Sequence, residues 1–187
     1  MNKKNYKQKL DIFRKEILQS TKSENKNISN VLKWIKKRKK ADKTEIKKTN
    51  LVKLKDWSFD NKVNINHKSG QFFSVKGVTV NNAYNREVKK WDQPLFFQKH
   101  GGILAMLCRK NKGVVEFLLL ARREPGDRDL KLCPSFSATQ SNLNRAHGGK
   151  STDLYRIILD KNRNTICETE HYEEGARFYQ KKKPDDF

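Results

Sequence analysis

The spacing of hydrophobic positions changes near residue 45, where a helical pattern gives way to an extended one. In the first part, apolar side chains recur every three or four positions, as on one face of a helix: Tyr6, Leu10, Phe13 and Ile17. This spacing predicts a helix over residues 6–20. A second helix is predicted over residues 31–41, with Asn30 as its N-cap.

Strand patterns dominate the middle of the chain. Residues 63–67 alternate between apolar and polar positions, and residues 71–80 follow after a Lys-Ser-Gly turn, which together predict a β-hairpin. Two further strands are predicted over residues 103–109 and 114–121, because an Asn-Lys-Gly turn separates them. Residues 86–94 are predicted to form a connecting segment that ends at its proline.

Later segments complete the fold class. Residues 153–159 are predicted to be helical and residues 166–170 to form a short strand. Two helices, then mostly strands, then a late helix predict an α+β fold around a mixed or antiparallel sheet. We expect a basic helical N-terminal arm over residues 1–43, followed by one domain over residues 44–187.

Basic residues are concentrated at the N-terminus. The net charge is +21, from 42 Lys and Arg against 21 Asp and Glu, and residues 1–55 alone contain 19 basic and 5 acidic side chains. The basic run at residues 36–40 ends the second predicted helix, where cations complement the helix dipole. Such a run also occurs in nucleic-acid-binding proteins, but no aromatic residues for base stacking alternate with it here, which favours a solvated helix end.

The cysteines and the hydropathy pattern exclude several classes of protein. Cys108, Cys133 and Cys167 are far apart and odd in number, so neither a zinc site nor a disulfide framework is indicated. No apolar run has membrane-spanning length, and the N-terminus lacks the apolar core of a signal peptide. We therefore expect a cytoplasmic protein with no metal site and no membrane association.

Residues 120–149 form the stretch around which the candidate chemistry is organised. An apolar strand leads into Arg122 and Arg123, whose guanidinium groups match phosphate oxygens, and a Glu-Pro-Gly-Asp turn follows. Small hydroxyl and amide side chains then cluster: Ser135, Ser137, Thr139, Gln140, Ser141 and Asn142. Buried polar groups need partners, so these side chains either line a polar ligand pocket or cover the solvated face of a hairpin.

Three side chains are candidates for acid–base chemistry. His67 lies at a strand end, Glu124 lies beside the two arginines, and His147 precedes two glycines in a loop, where functional residues are common. Each also fits a structural role, as a surface or core histidine or as a turn ion pair. Trp91 and Gln93 either stack on a flat base or pack in the core. The sequence lacks a glycine-rich phosphate loop, a nucleophile elbow and the Glu cluster of Nudix hydrolases.

Several short motifs occur in a fixed order between residues 30 and 180. They are WSF at 57–59, INHKSGQFFSV at 65–75, EV at 87–88, WDQP at 91–94, EPG at 124–126, AT at 138–139, SN at 141–142, HGG at 147–149 and EGARFY at 174–179. Each motif alone is weak. As an ordered set at these spacings they resemble the NDP-hexose 2,3-dehydratase family.

The resemblance implies a hydro-lyase that removes the C2 hydroxyl of a dTDP-linked 4-keto-6-deoxyhexose in deoxysugar biosynthesis, without a cofactor. It implies a Nudix-like mixed β-sheet domain flanked by helices, without the Nudix metal site. Family members usually contain two tandem copies of this domain and form dimers, so we expect a homodimer or pairing with a second copy. The labile product implies a downstream ketoreductase.

The resemblance and the candidates above together predict the site residues. The predicted catalytic side chains are Glu124 or His147 as general base, with Tyr179. The predicted substrate-binding side chains are His67, Ser69, Trp91, Gln93, Arg122, Arg123, Thr139, Ser141, Asn142 and Arg177.

One copy of the motif set is present, which leaves an alternative function open. The chain is then a catalytically silent nucleotide-sugar-binding module that pairs with a second copy. A third possibility is a basic nucleic-acid-binding protein, whose affinity would fall steeply with salt and depend on residues 1–55.

Overall fold

The computed structural model of the protein describes residues 3–23, 28–82, 84–98, 100–152 and 154–180. Its helices are α1 (Lys3–Thr21), α2 (Ile28–Ala41), α3 (Gln140–Leu143) and α4 (Tyr155–Leu159), with one 3-10 turn at Leu51–Lys53. Its strands are β1 (Trp57–Phe59), β2 (Ile65–His67), β3 (Ser74–Val80), β4 (Trp91–Phe97), β5 (Gly102–Ala105), β6 (Cys108–Asn111), β7 (Val114–Phe117), β8 (Leu120–Arg122), β9 (Lys131–Cys133) and β10 (Phe136–Thr139). The α+β class is therefore confirmed.

The chain divides into two compact units, and each is described by itself. Unit 1 contains the described residues of 1–47, 104–137 and 153–169, and unit 2 contains those of 48–103, 138–152 and 170–187. A boundary between an N-terminal arm and a domain at residue 43 stays a prediction. Among the described helices, none is long and apolar enough to cross a membrane.

Unit 2 is built on an antiparallel sheet with the strand order β1-β2-β3-β4. Ile65 pairs with Val75 across β2 and β3, so the predicted hairpin is confirmed, although β3 begins only at Ser74. In β4, Trp91, Gln93, Leu95 and Phe97 share one face because side chains alternate along a strand. Leu95, only 7% exposed, anchors that face.

The prediction that residues 86–94 form a connecting segment is wrong at its C-terminal end. Pro94 lies inside β4, where it pairs with Gly77 of β3. The proline is tolerated because β4 is the last strand of this sheet. The amide of Phe96 points away from β3, to the carbonyl oxygen of Arg177, so the nitrogen of Pro94, two residues earlier, points the same way.

Unit 1 places α1 against the β6–β7 hairpin. The ring centroids of Phe13 and Phe117 lie 6.4 Å apart, and the Ser20 hydroxyl accepts a 2.9 Å hydrogen bond from the amide of Val115. The predicted helix over residues 6–20 is therefore confirmed, with slightly wider bounds. Lys112 and Gly113 have φ values of 48° and 82°, as expected for a tight hairpin turn between β6 and β7.

Two predicted strands are each interrupted in unit 1. Residues 103–109 divide into β5 and β6, and residues 114–121 divide into β7 and β8. The hydroxyl of Ser135, which is wholly buried, accepts a hydrogen bond from the amide of Leu107 at 2.8 Å and donates one to the carbonyl oxygen of Leu118 at 2.6 Å. Both interruptions therefore coincide with backbone groups that bond to Ser135.

Three smaller predictions also need correction or narrowing. Asn30 lies within α2, which begins at Ile28, so Asn30 is not its N-cap. Residues 166–170 contain no strand. The late helix is confirmed only over Tyr155–Leu159, and residue 153 lies outside the described residues.

Candidate functional site

The two predicted phosphate-binding arginines diverge after β8. The Nη1 group of Arg122 lies 3.5 Å from a carboxylate oxygen of Glu124 and 3.4 Å from the carbonyl oxygen of Ser137. Asp127 closes the predicted turn, because its amide donates a 2.9 Å hydrogen bond to the carbonyl oxygen of Glu124. Arg122 and Glu124 therefore form one polar pair at the strand end, with more than half of the Glu124 side chain exposed.

Arg123 is directed to the segment that follows α2. Its Nη1 group donates a 3.0 Å hydrogen bond to the carbonyl oxygen of Thr44 and lies 3.4 Å from Asp42. Hydrogen bonds from Thr44 to Asp42, followed by the nearby Arg123, lower the pKa of that carboxyl below its ordinary value. The Nε atom of Arg123 is buried and has no hydrogen-bond partner among the described residues. Arg123 therefore has a structural contact and unused donors.

In unit 2, Trp91 and Gln93 are joined to the 174–179 segment. The indole Nε1 of Trp91 donates a 2.7 Å hydrogen bond to Oε1 of Gln93, and Nε2 of Gln93 donates a 3.0 Å bond to the carbonyl oxygen of Ala176. The amide of Tyr179 donates to the carbonyl oxygen of Phe96 at 2.9 Å. The structure thus brings four predicted site residues, Trp91, Gln93, Arg177 and Tyr179, to β4 and its outer edge.

An aromatic stack flanks this edge. The rings of Phe97 and Tyr179 are 4.5 Å apart and 20° from parallel, and Nζ of Lys76 lies 5.1 Å from the Phe97 ring centroid. Tyr179 is 39% exposed, and its hydroxyl has no hydrogen-bond partner in the described part of the chain. Arg177 Nε lies 3.1 Å from Glu174. The ammonium group of Lys76 and the free hydroxyl of Tyr179 therefore flank the Phe97–Tyr179 stack, and the Tyr179 side of that stack is exposed.

Sequence analysis missed Phe97 and Lys76 as members of this cluster. The sequence of residues 91–97 gives only a weak strand signal, since Gln93 is polar and Phe96 and Phe97 are adjacent apolar residues. Ending the connecting segment at Pro94 also left Phe97 outside it. Lys76 follows from the register, since it pairs with Leu95 and lies on the same face of the sheet.

His67 lies on the other face of the unit 2 sheet, among aromatic rings. Its ring centroid is 4.4 Å from that of Phe72 and 5.3 Å from that of Trp57. Its Nδ1 lies 2.8 Å from the hydroxyl of Ser69 and accepts a 3.2 Å bond from the Ser69 amide. His67 and Ser69 are therefore together, as predicted, but they are separated from Trp91 and Gln93 by the sheet.

The polar side chains after β10 form a local cluster. The hydroxyl groups of Thr139 and Ser141 lie 2.8 Å apart, and Ser141 is 6% exposed. Asn142 follows in α3 and is half-buried. Nδ1 of His147 accepts a 2.8 Å hydrogen bond from the amide of Gly149. These residues neither cover a solvated hairpin face nor, by their own contacts, define a closed pocket.

The predicted site residues divide between the units. Arg122, Arg123 and Glu124 belong to unit 1, whereas the remaining members of the predicted set belong to unit 2. Across the described ranges, no group of three or more His, Cys, Asp or Glu side chains is placed to hold a metal ion.

Aromatic rings, a guanidinium and a phenol hydroxyl gathered at one sheet edge offer stacking and hydrogen-bonding groups to a polar small molecule. The chain belongs to the NDP-hexose 2,3-dehydratase family, whose sequence pattern matches residues 28–185. This membership confirms the family inferred from the ordered motifs.

Curated relatives support the same family. The chain is 31% identical over 155 residues to a dTDP-4-dehydro-6-deoxy-alpha-D-glucopyranose 2,3-dehydratase of Amycolatopsis orientalis, covering 79% of this chain and 33% of the relative. It is 32% identical over 152 residues to the enzyme of the same name from Saccharopolyspora spinosa, covering 80% of this chain and 31% of the relative. The chain thus spans about a third of the length of the curated relatives it matches.

Proposed function

We propose that the chain acts as a sugar-nucleotide 2,3-dehydratase on a dTDP-linked 4-keto-6-deoxyhexose. The observation that carries the proposal is the link from Trp91 through Gln93 to Ala176, since it gathers an indole, Arg177 and Tyr179 at one edge of β4. An indole or phenol ring suits a flat nucleobase, and a guanidinium suits a diphosphate. The names of the curated relatives support this substrate class.

The proposed reaction needs no redox partner. The C4 ketone acidifies the C3 proton, which a general base removes to give an enediolate. The C2–O bond then breaks, and the hydroxyl leaves as water after it receives a proton. The resulting enol tautomerises to a 3,4-diketo-2,6-dideoxy sugar, so the overall change is the loss of one water.

Glu124 and His147 are the candidates for the general base. Because Nδ1 of His147 accepts a hydrogen bond from the amide of Gly149, the neutral ring carries its proton on Nε2. In that tautomer the Nε2–H group of His147 can donate a hydrogen bond, which suits the C4 oxygen where negative charge develops. A carboxylate has no such restriction, so Glu124 is the preferred base.

The other predicted residues receive binding roles. Arg122 contacts the diphosphate or the enolate, and Arg123 contributes the donors that Asp42 and Thr44 leave unused. Stabilisation of the developing oxyanion by such donors is a large part of catalysis in eliminations of this type. Hydrogen bonds to the sugar come from four polar side chains: Thr139, Ser141, Asn142 and Tyr179. Arg177 is assigned to the diphosphate. His67 and Ser69 lie on the other face of the sheet from Trp91, so they are not assigned to the same part of the ligand.

Membership of the family also suggests a sheet type, an assembly and a downstream partner for this chain. We infer a Nudix-related sheet domain, a homodimer or pairing with a second copy, and a ketoreductase that consumes the labile diketo sugar. A cytoplasmic location fits these soluble substrates.

Turnover is tested with purified protein, dTDP-4-keto-6-deoxyglucose, a ketoreductase and NADPH, read by mass spectrometry. Loss of the C2 oxygen is expected. Glu124→Gln should abolish it, whereas His147→Asn should slow it, by about 10²–10⁴-fold for a proton-transfer group. Full turnover in both variants would remove the two residues from the mechanism.

The single copy of the ordered motifs within these residues supports a second candidate, a silent binding module that pairs with a second copy. That module binds dTDP-sugar without converting it. Binding by calorimetry with no product, restored to turnover by an added second copy, would identify it.

A further inference from the structure

A basic cleft of about 390 Å³ lies in unit 1, and none of the predicted site residues lines it. It is lined by α1 and by the segment that follows α4: Tyr6, Lys9, Lys161, Arg163, Thr165 and Glu168. A volume of this order suits a ligand of nucleotide size.

The lining of the cleft carries excess positive charge. Lys9, Lys161 and Arg163 are cationic, and Glu168 supplies one carboxylate, which lies 3.7 Å from Arg163. Lys161 makes no hydrogen bond or ion pair with any residue that the structure describes. Two of the exposed cations that line the cleft therefore have no carboxylate partner among the described residues, and an anion is the ligand that would offset them.

The two walls of the cleft are held together before any ligand binds. The hydroxyl of Tyr6 accepts a 3.1 Å hydrogen bond from the amide of Glu168 and lies 3.1 Å from its carbonyl oxygen. Nζ of Lys9 donates a 3.1 Å bond to Oδ1 of Asn164. These contacts join α1 to the 164–168 segment, so the cleft is preformed rather than assembled by its ligand.

The cleft includes residues that lie outside the family match. Tyr6 and Lys9 precede residue 28, where the family match begins. Two of the six lining residues therefore lie outside that match, so the family pattern alone does not specify the cleft.

We propose that this cleft binds a small diphosphate-bearing anion. Cations recognise the phosphate oxygens, and the hydroxyl of Thr165 and the guanidinium of Arg163 supply directional donors. A bounded cleft without a row of aromatic rings favours a small ligand over a nucleic-acid strand. The proposal does not depend on the dehydratase reaction.

The test is calorimetric titration of inorganic pyrophosphate into the full chain. Lys161→Gln should weaken binding about tenfold, the size expected for one charge-assisted contact. Lys62→Gln, which removes one exposed charge from a residue that does not line the cleft, should leave the affinity within about twofold, because it removes no contact with the bound anion. Equal weakening by both variants would mean diffuse charge attraction and would overturn the proposal.

A variant that leaves the net charge unchanged tests whether the preformed shape of the cleft contributes to binding apart from its charge. Tyr6→Phe removes the hydroxyl that holds the Glu168 backbone, and should weaken pyrophosphate binding about fivefold. An unchanged affinity would overturn the preformed cleft.

Two further ligands identify the source of the phosphate. Thymidine diphosphate, which the proposed dehydratase site also binds, should show a second binding event at least as tight as that of pyrophosphate, and only that event should weaken in Lys161→Gln. A single-stranded oligonucleotide that binds more tightly, with the same response to Lys161→Gln, would overturn the small-ligand assignment. Dehydration should be unaffected in Lys161→Gln, so failure of the cleft and failure of the dehydratase proposal are distinguishable.

Discussion

The side-chain amide of Gln93 donates a 3.0 Å hydrogen bond to the carbonyl oxygen of Ala176, 83 positions further along the chain. The same amide group accepts a 2.7 Å bond from the indole of Trp91. One half-buried glutamine therefore fixes both the orientation of an indole and the place of the segment that carries Arg177 and Tyr179. Loss of either hydrogen bond should therefore lower the affinity of the proposed binding edge for its ligand.

Gln93→Met should lower the free energy of unfolding by about 1–3 kcal/mol, because it leaves the Trp91 N–H and the Ala176 carbonyl without their partner. Gln93→Glu keeps the acceptor for Trp91 but cannot donate to Ala176. Both variants should weaken binding of thymidine diphosphate-sugar about tenfold, measured by calorimetry.

The preceding residue, Asp92, provides a matched control. Asp92 faces the opposite side of β4, where it accepts a 2.5 Å bond from the Thr79 hydroxyl, and Asn in its place keeps an acceptor. Asp92→Asn should therefore bind the ligand as wild type does. Wild-type affinity in Gln93→Glu would show that the Ala176 bond does not position the site.

The hydroxyl of Tyr179 can be separated from its ring. Tyr179→Phe keeps the stack on Phe97, so the fold should persist while turnover falls at least tenfold if the hydroxyl takes part in proton transfer. Tyr179→Leu removes the stack as well and should cost about 0.5–1.5 kcal/mol of stability. Thermal unfolding and steady-state kinetics measure the two effects. Unchanged kcat in Tyr179→Phe would limit Tyr179 to packing.

Sequence periodicity predicted the helices and hairpins that are specified by residues close together in the chain. The helical spacing of Tyr6, Leu10, Phe13 and Ile17 predicted α1, and the Asn-Lys-Gly turn predicted the β6–β7 hairpin. The β2–β3 hairpin followed from alternation on both sides of a turn. In each case the residues that decide the structure lie within a few positions of one another.

Contacts between distant positions could not be predicted in the same way. Ser135 bonds to Leu107 and Leu118, and these bonds coincide with the breaks in two apparently continuous strands. Pro94 continues a strand because of its edge position, which depends on the sheet order. For the candidate site, the motifs identified Trp91 and Gln93, but the alignment of Gln93 with Ala176 depends on tertiary structure.

Arg123 offers a test of structural against binding roles. Arg123→Met should lower the melting temperature by roughly 3–6 °C, because it removes the Thr44 contact. It should also lower the affinity for the nucleotide sugar, because it removes the proposed ligand donors. Asp42→Asn loosens the same contact without touching those donors, so it should lower only the melting temperature. Equal ligand affinity in Arg123→Met, wild type and Asp42→Asn would assign Arg123 to the fold alone.

The carboxylate of Asp60 makes one part of unit 2 sensitive to acid. It accepts hydrogen bonds from the amides of Lys62 and Asn64 and from the side chains of Asn64 and Asn66. The side-chain and backbone bonds from Asn64 are the largest causes that lower its pKa from 3.8 to about 2. Because the folded pKa is depressed, the ionised carboxylate stabilises the fold above pH 3.8, and that stabilisation is lost as pH falls through about 2.

Asp60→Asn should be less stable than wild type at about pH 6, and the difference should shrink as the pH falls from about 4 towards 2. Urea unfolding across this range measures the difference, and carbon NMR of the Asp60 carboxyl measures its titration directly. The 60–66 loop should be affected before the rest of unit 2, since within the described ranges the Asp60 carboxylate bonds to residues 62–66. A stability difference that is constant with pH would mean that Asp60 titrates alike in the folded and unfolded chain.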